Sequence, residues 1–257
     1  MTLLPQLSVR AIAVWRRNFL VWRKLAIPSV LGNLADPMIY LFGLGYGLGG
    51  LLPQIGGVTY IQFLAAGTVC ASTMNAASFE ALYSGFSRMH VQKTWDAILN
   101  APVSLDDVVA GEWLWAAAKA SLSGMAILVV ISALGFVVSP MALWTIPVIF
   151  LTGLAFAGLG LIVTALAPSY DFFMYYFTLF VTPMVLISGV FFPVEQLPTP
   201  VQAVASVSPL AHAVRLVRPL LLGEVPQQIA LHLAVLAATA LLSFWVALIL
   251  TRRRLLS

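Results

Sequence analysis

The sequence predicts an all-α membrane protein: six transmembrane helices, an N-terminal amphipathic interfacial helix, a short cytoplasmic helix between spans two and three, and short extracytoplasmic helices between spans five and six. Three observations predict it. Hydrophobic residues make up 61% of the chain and charged ones 9%, with a mean hydropathy of +1.00, whereas water-soluble domains carry about 25% charged residues. The 257 residues accommodate roughly six spans of ~20 residues with their connections, as a single transmembrane domain over 1–257. The apolar run is interrupted over 189–223, where Pro193, Pro198, Pro200, Pro209 and Pro219 accompany Glu195, His212, Arg215 and Arg218. Each proline removes an N–H and clashes with the preceding turn, and a bilayer core cannot solvate the backbone groups so released. The stretch therefore lies at a membrane face, or dips in only under protein or water, as two short helices broken at Pro209.

Residues 4–24 come first. On a helix, Arg10, Arg16, Arg17, Arg23 and Lys24 fall within an arc of roughly 140°, and Leu4, Leu7, Ala11, Ile12, Val14, Trp15, Phe19 and Trp22 fill most of the other side, with Asn18 and Leu20 on the wrong faces. That pattern predicts an interfacial helix, basic side toward lipid phosphates and Trp side in the acyl boundary. Span one covers 25–52, with Asp36-Pro37 near its middle and the glycines 43, 45, 47, 49 and 50 at its outer end. Gly45, Gly47 and Gly50 match G-x-G-x-x-G, but no strand precedes them, which excludes a dinucleotide site; close helix approach explains them better.

Span two covers 60–86, with Cys70 and Glu80, and a polar loop follows over 87–107. In that loop VQKTWDAIL reads as one short helix presenting Trp95, Ile98 and Leu99 beside Arg88, Lys93 and Asp96. It is either a docking element for a partner that supplies energy or control, or a helix tucked against its own bundle. Span three covers 108–137, preceded by Ser104 and Asp107 at capping-box spacing. Spans four, five and six cover 142–166, 172–192 and 228–251, with the outer helices over 193–227 and Arg252, Arg253 and Arg254 at the end.

Ten of the thirteen Lys and Arg lie on one side: five in the N-terminal helix, Arg88 and Lys93 in the polar loop, and three at the C-terminus. Arg215 and Arg218 face the other side, and Lys119 lies within span three. The positive-inside bias makes both termini cytoplasmic and 189–223 extracytoplasmic, in a bacterial inner membrane.

Several chemistries are excluded. No P-loop surrounds Lys24, Lys93 or Lys119, no H-E-x-x-H or G-x-S-x-G occurs, and His90, His212 and His232 are far apart in the chain. Cys70 is the only cysteine, so no internal disulfide and no multi-cysteine metal site forms. The chain is not an enzyme, and no cofactor or metal is expected on it. Ionisable residues in or near the membrane are functional candidates by default: Asp36, Glu80, Glu112, Lys119 and Asp171. Asp36 either caps a half-helix starting at Pro37 or serves translocation. Glu112 and Lys119, seven residues apart on one face, read as buried ion pairing that fixes helix register, or as part of a transport path. Arg215 and Arg218 either bind an anionic headgroup or snorkel to the interface. The alternative function is a proton-coupled secondary transporter using Asp36, Glu80 or Glu112.

The order of elements resembles the type-2 permeases of ATP-binding-cassette exporters. SGVFFPVEQLP followed by SPLAHAVRLVRPLLLG is similar to that family's F-P-x-x-x-L-P…P-L…R pattern, carried here by Pro193, Pro198, Pro209, His212, Arg215 and Arg218. NLADPMIYLFGLGYGLG and FEALYSGFSRMHVQKTWDAILNAPVSLDDVVAGEWLWAAAKA look like the nodulation-factor (lipo-chitooligosaccharide) exporter permeases. The resemblance covers nearly the whole chain. It implies a type-2 transmembrane domain that works as a homodimer with two copies of a separate ATPase subunit, which binds the ATP and Mg. It also implies a coupling helix around 88–99 that docks on the ATPase, a connecting helix at the N-terminus, and outer helices that close the exit. Membrane lipids and an amphipathic substrate (lipo-oligosaccharide, glycolipid, lipid-linked glycan or hydrophobic drug) are the expected partners, and nucleic acid is not.

Overall fold

The computed structural model describes residues 5–52 and 54–256, so Leu4 of the expected interfacial helix lies outside the described residues. Helix α1 (Arg10–Trp22) passes through one 3₁₀ turn (Arg23–Leu25) into α2 (Ala26–Gly47). The first helix starts later than its amphipathic pattern predicts. The amides of Gln6 and Ser8 donate instead to the carboxylates of Asp106 and Asp107, each at 2.6 Å. Pro37 lies inside α2 without ending it. No half-helix begins there, and the capping role for Asp36 is thereby corrected.

A short hairpin, β1 (Gln54–Ile55) antiparallel to β2 (Val58–Thr59), leads into α3 (Tyr60–Phe79). At its start Gln62 Oε1 accepts from Thr59 N at 3.2 Å. Beyond Phe79 the helix continues through two π-helical turns, Glu80–Ser84 and Ser87–Val91, past the expected end at residue 86. Helix α4 (Thr94–Leu99) follows Lys93, whose φ of 51° turns the chain. Helix α5 (Leu105–Ala133) opens on the predicted capping box: Ser104 Oγ accepts from Asp107 N at 3.1 Å, and Ser104 N donates to Asp107 Oδ2 at 3.4 Å. A 3₁₀ turn (Pro140–Trp144) leads into α6 (Thr145–Leu166).

Helices α7 (Phe172–Tyr176) and α8 (Thr182–Ile187) are joined by a π turn (Phe177–Val181). They stop short of the expected residue 192, where Gly189 takes a φ of 77°. Then come α9 (Thr199–Ala205), α10 (Pro209–Leu222) and α11 (Ile229–Leu256), the last running through Arg252, Arg253 and Arg254.

Among the described residues, four helices are long and apolar enough to cross a membrane: Arg10–Gly47, Leu105–Ala133, Pro140–Leu166 and Ile229–Leu256, with a shorter apolar helix at Phe172–Ile187. Helix α3 falls outside that set because it carries Gln62, Thr68, Ser72, Thr73, Asn75 and Ser78. It can be this polar because it is the central helix, enclosed by α2, α5, α6 and α10 and buried along most of its length. A helix that faces protein all round needs no lipid-compatible surface. By contrast α2 is nearly bare, with Leu31, Ile39, Tyr40 and Tyr46 exposed.

The connections define two ends of the bundle. The terminal end gathers the N-terminal segment, α1, the π turns of α3, α4, the start of α5 and the last turn of α11. The opposite, outer end gathers the hairpin, Pro140–Trp144, α9 and α10. Helix α10 differs from expectation. It does not lean on a surface but packs between α3, α6 and α11, with Leu210, Val214, Leu216, Val217 and Leu221 buried. Its Pro209 occupies the first helical turn, where a missing N–H costs nothing, and Ser208 caps it.

Candidate functional site

The terminal end holds an ion cluster built by three elements. The π turns of α3 supply Glu80 and Arg88, α5 supplies Glu112, Trp115 and Lys119, and α4 supplies Trp95. Arg88 Nε donates to Glu112 Oε1 at 2.9 Å and Oε2 at 3.1 Å, and its NH2 donates to Glu80 Oε1 at 2.9 Å. Lys119 Nζ donates to Glu80 Oε2 at 2.7 Å. Two indoles complete the set: Trp115 Nε1 donates to Glu80 Oε1 at 2.8 Å, and Trp95 Nε1 to Glu112 Oε1 at 3.1 Å. Both carboxylates are only 2–3% exposed. A carboxylate this deep is tolerated only when paired and hydrogen-bonded. Glu112 and Lys119 do not pair with each other; Glu112 pairs with Arg88, and Lys119 with Glu80.

This cluster turns two expected surface residues inward. Arg88 and Trp95 do not present themselves for docking: Trp95 is 1% exposed and Arg88 is tied to both glutamates. Lys93 and Asp96 remain exposed, and Ile98 and Leu99 are half-buried against the bundle. Helix α4 is thus an exposed edge on a buried anchor.

Helix α1 also meets protein where lipid was expected. Its aromatic side packs on Trp115, with ring centroids 6.4 Å from Trp15, 6.3 Å from Phe19 and 5.8 Å from Trp22. Ala11, Val14 and Asn18 form its buried face, and Arg16, Arg23 and Lys24 are exposed. Arg10 donates to Pro102 O, and Arg17 NH1 donates to Asn18 Oδ1 at 2.9 Å. A second interlock ties three segments: Arg252 Nε donates to Asp106 Oδ1 at 2.8 Å while Asp106 also holds the Gln6 amide. Arg254 NH1 donates to the carbonyls of Thr164, Ala165 and Ala167 at the end of α6. The charge census alone counted these arginines only as cytoplasmic markers.

A cleft of about 470 Å³ opens between α2, α3, α5 and α7–α8. Asn33, Asp36, Tyr40, Thr68, Ser72, Asn75 and Ser123 line its polar side, and Phe177, Val181, Val185, Leu186 and Phe191 its apolar side. Asp36 is exposed there; Glu80, Glu112 and Lys119 lie elsewhere, in the ion cluster. Asp171 is exposed just before α7. Of the five glycines at the end of span one, Gly45 is the one against another helix, beside Ile61 of α3.

At the outer end Arg218 turns inward. Its NH2 donates to Gly189 O at 2.5 Å and Phe63 O at 3.4 Å, and the guanidinium lies 3.6 Å from the Phe63 ring centroid. It therefore does not form a headgroup pair with Arg215. Pro193 and Pro198 bracket a 3₁₀ turn, Val194–Gln196. His212 and His232, which their separation in the chain kept apart, touch: their Nδ1 atoms are 2.7 Å apart. Ser206 O accepts from His212 Nε2 at 2.8 Å. A carbonyl only accepts, so Nε2 carries the proton and His212 Nδ1 accepts from His232 Nδ1–H. Burial holds His212 below the ordinary imidazole range, opposed by the Ser206 carbonyl and assisted by the nearby Arg215 charge. Only contacts in space reveal this pair; neither histidine has a motif around it.

Residues 10–222 match the family described as ABC-2 type transporter. The chain is 51% identical to nodulation protein J of Rhizobium meliloti (strain 1021), over 98% of this chain and 97% of that one. It is 50% identical to nodulation protein J of Rhizobium leguminosarum bv. viciae, over 98% of each chain. An inner membrane transport permease of Escherichia coli (strain K12) is 23% identical over 79% of this chain and 78% of its own length. A family match over most of the chain and half-identity over nearly all of it agree with the helical bundle described above, and the chain belongs to the ABC-2 type transporter family.

Proposed function

We propose that the chain exports an amphipathic, lipid-bearing oligosaccharide, a lipo-chitooligosaccharide first among them, across a bacterial inner membrane. It acts as one half of a homodimer with two copies of a separate ATPase. Within its family the chain is the membrane permease, a non-catalytic component of an ABC exporter. The finer reading adds six spans, with α3 and α7–α8 as the second and fifth, and places the terminal end in the cytoplasm, where ten of thirteen Lys and Arg lie.

The observation that carries the cargo class is the cleft. Its Asn, Ser and Thr side suits sugar hydroxyls and amides, and its Phe, Val and Leu side suits an acyl chain. It lies beside two apolar faces, α2 and α7–α8, where Tyr40, Met174, Tyr175, Leu179 and Leu186 are exposed. A second copy applied to those faces would enclose it. Energy would arrive through α4: the ATPase meets Lys93, Asp96, Ile98 and Leu99, and Trp95 passes displacement to Glu112, Arg88 and the rest of the ion cluster. Proton coupling through Glu80 or Glu112 has no such support, because every oxygen of both carboxylates already accepts from a cation or an indole.

The test is reconstitution of the chain with its ATPase in proteoliposomes, measuring nucleotide turnover against added lipo-chitooligosaccharide. Stimulation that is weakened by Ser72→Leu and Asn75→Leu is expected. Turnover that responds to glycolipids lacking the chito-oligosaccharide, and not to this one, would overturn the cargo class. Transport unaffected by replacing both Ile98 and Asp96 would overturn the docking role.

A further inference from the structure

A second cavity, of about 500 Å³, lies at the terminal end between α1, the π turns of α3 and α5. It is separate from the cleft, sharing no lining residue with it. Arg17, Asn18, Tyr83, Arg88, Lys119 and Tyr170 line it. Its charges do not balance. Arg17, Arg88 and Lys119 line it against one carboxylate, Glu80, and both Glu80 and the adjoining Glu112 are already held by Arg88 and Lys119. Arg17 has no carboxylate within ion-pair distance among the described residues; it donates to Asn18 Oδ1.

Asn18 supplies the independent observation. It is 3% exposed, and its Nδ2 donor has no hydrogen-bond partner. The amide orientation is fixed, since the guanidinium can only donate and so must face the oxygen. A buried donor without an acceptor is costly, and here it lines a cavity that also holds an unpaired guanidinium. One anionic oxygen in the cavity would satisfy both. The ligand should also be amphipathic, because exposed Val21 lines the cavity and exposed Leu25 and Ile27 follow it along the chain into α2.

We infer that this cavity binds the anionic phosphate headgroup of a membrane phospholipid, with Asn18 Nδ2 and Arg17 donating to its oxygens and the acyl chains lying along α1 and α2. Such a lipid would brace α1 against the ion cluster. On the orientation proposed above it comes from the inner leaflet, but binding itself is read without transport, so failure of that orientation and failure of this site are separable.

The experiment uses the purified full chain in detergent, with native mass spectrometry and thermal midpoints, titrated with phosphatidylglycerol, phosphatidylcholine and soluble glycerol phosphate. One retained phosphatidylglycerol per chain is expected, favoured about tenfold over phosphatidylcholine, which offers the same phosphate oxygens but would bring its choline cation against Arg17, Arg88 and Lys119. Asn18→Asp, nearly isosteric and able to pair with Arg17, should abolish the preference, and Arg17→Gln should do the same if the first variant folds poorly. Arg16→Gln with Arg23→Gln, both on the exposed side, should leave it intact. Equal retention of the two lipids overturns the site. So does loss of preference only in the Arg16 and Arg23 variant, which would mark a diffuse surface effect. Stabilisation by glycerol phosphate as strong as by the lipid would assign the cavity to a free phosphate ester and overturn the lipid.

Discussion

The two ends of this bundle solve the problem of polar groups in opposite ways. At the terminal end, charges are matched with charges: Glu80 and Glu112 with Arg88 and Lys119, and Asp106 with Arg252. At the outer end, Arg218 is held by the carbonyls of Gly189 and Phe63 and by an aromatic face, and His212 by a second neutral imidazole and a carbonyl. Removing one member of the ion cluster strands a buried opposite charge, whereas removing Arg218 or His212 strands only carbonyl and imidazole dipoles. The terminal end is therefore costly to perturb. The outer end is held by weaker interactions.

The largest expected effect comes from Glu112→Gln. It leaves Arg88 with Glu80 alone and weakens the bond from Trp95, so α4 loses its anchor along with the ion pair. Breaking one side of a buried pair costs about 3–5 kcal/mol, read as a lowered thermal midpoint in detergent. Arg88→Met added to Glu112→Met should recover part of that loss, because no charge is then stranded at that position. If the single variant is as stable as the parent, the terminal end is not held by its charges.

Arg218→Met sharpens the comparison from the other side. It removes a charge-assisted bond to Gly189 O, worth about 1.5–3 kcal/mol, but leaves no carboxylate behind. Its cost should fall below that of Glu112→Gln and should concentrate in faster hydrogen exchange at the α8–α9 junction. Equal cost at both sites would erase the distinction between the ends.

Gly111→Ala tests how α1 is attached. A Cβ there meets Val14 Cβ at 2.5 Å and Ala11 O at 2.8 Å, so α1 must shift off α5. Overpacking of this kind costs about 1–3 kcal/mol. The readout is exposure of the α1 aromatics packed on Trp115 to an aqueous fluorescence quencher. Unchanged quenching with a normal midpoint would mean that α1 is tethered by its flanks and not by that contact.

Which of these features the sequence announces follows the same division. The membrane class, the near-continuous order of helices, the Ser104 and Asp107 capping box and the Pro-dense interruption are written in local composition and spacing, and all stand in the structure. The inward turn of Arg88 is not. Glu80 and Arg88 are eight residues apart, which leaves an α-helix about 80° out of phase at ~100° per residue. Two π turns change the phase, and nothing local in the sequence signals a π turn. Trp95 was read as presented because amphipathic spacing says which residues share a face, not which way that face points. The burial of α10 was illegible for a related reason: a Pro-containing amphipathic segment has the same pattern on a membrane surface as between three helices. The histidine pair needs a contact between α10 and α11 that only the packed bundle supplies.

The smallest effect should separate the ends by pH. His212 carries a folded value below its ordinary 6.5, chiefly through burial, so near and below pH 6.5 the unfolded chain binds a proton that the folded chain refuses. Its contribution is complete well above that value and is lost as pH falls through the window between the unfolded and folded values. The groups facing it are the His232 ring and the Arg215 charge, which disfavour a second proton, and the Ser206 carbonyl, which favours it but is outweighed by burial. A protonated His212 would set two N–H donors against each other at a 2.7 Å separation. The thermal midpoint should hold between pH 8 and 7 and fall below about 6.5. Hydrogen exchange should rise first in α10 and the start of α11. His212→Gln, whose carboxamide can still donate to Ser206 O, should flatten the slope without touching the ion cluster. If the slope survives in that variant, acid acts elsewhere; if exchange rises first around Glu80 and Glu112, the charged end is the weaker one and the contrast between the ends is reversed.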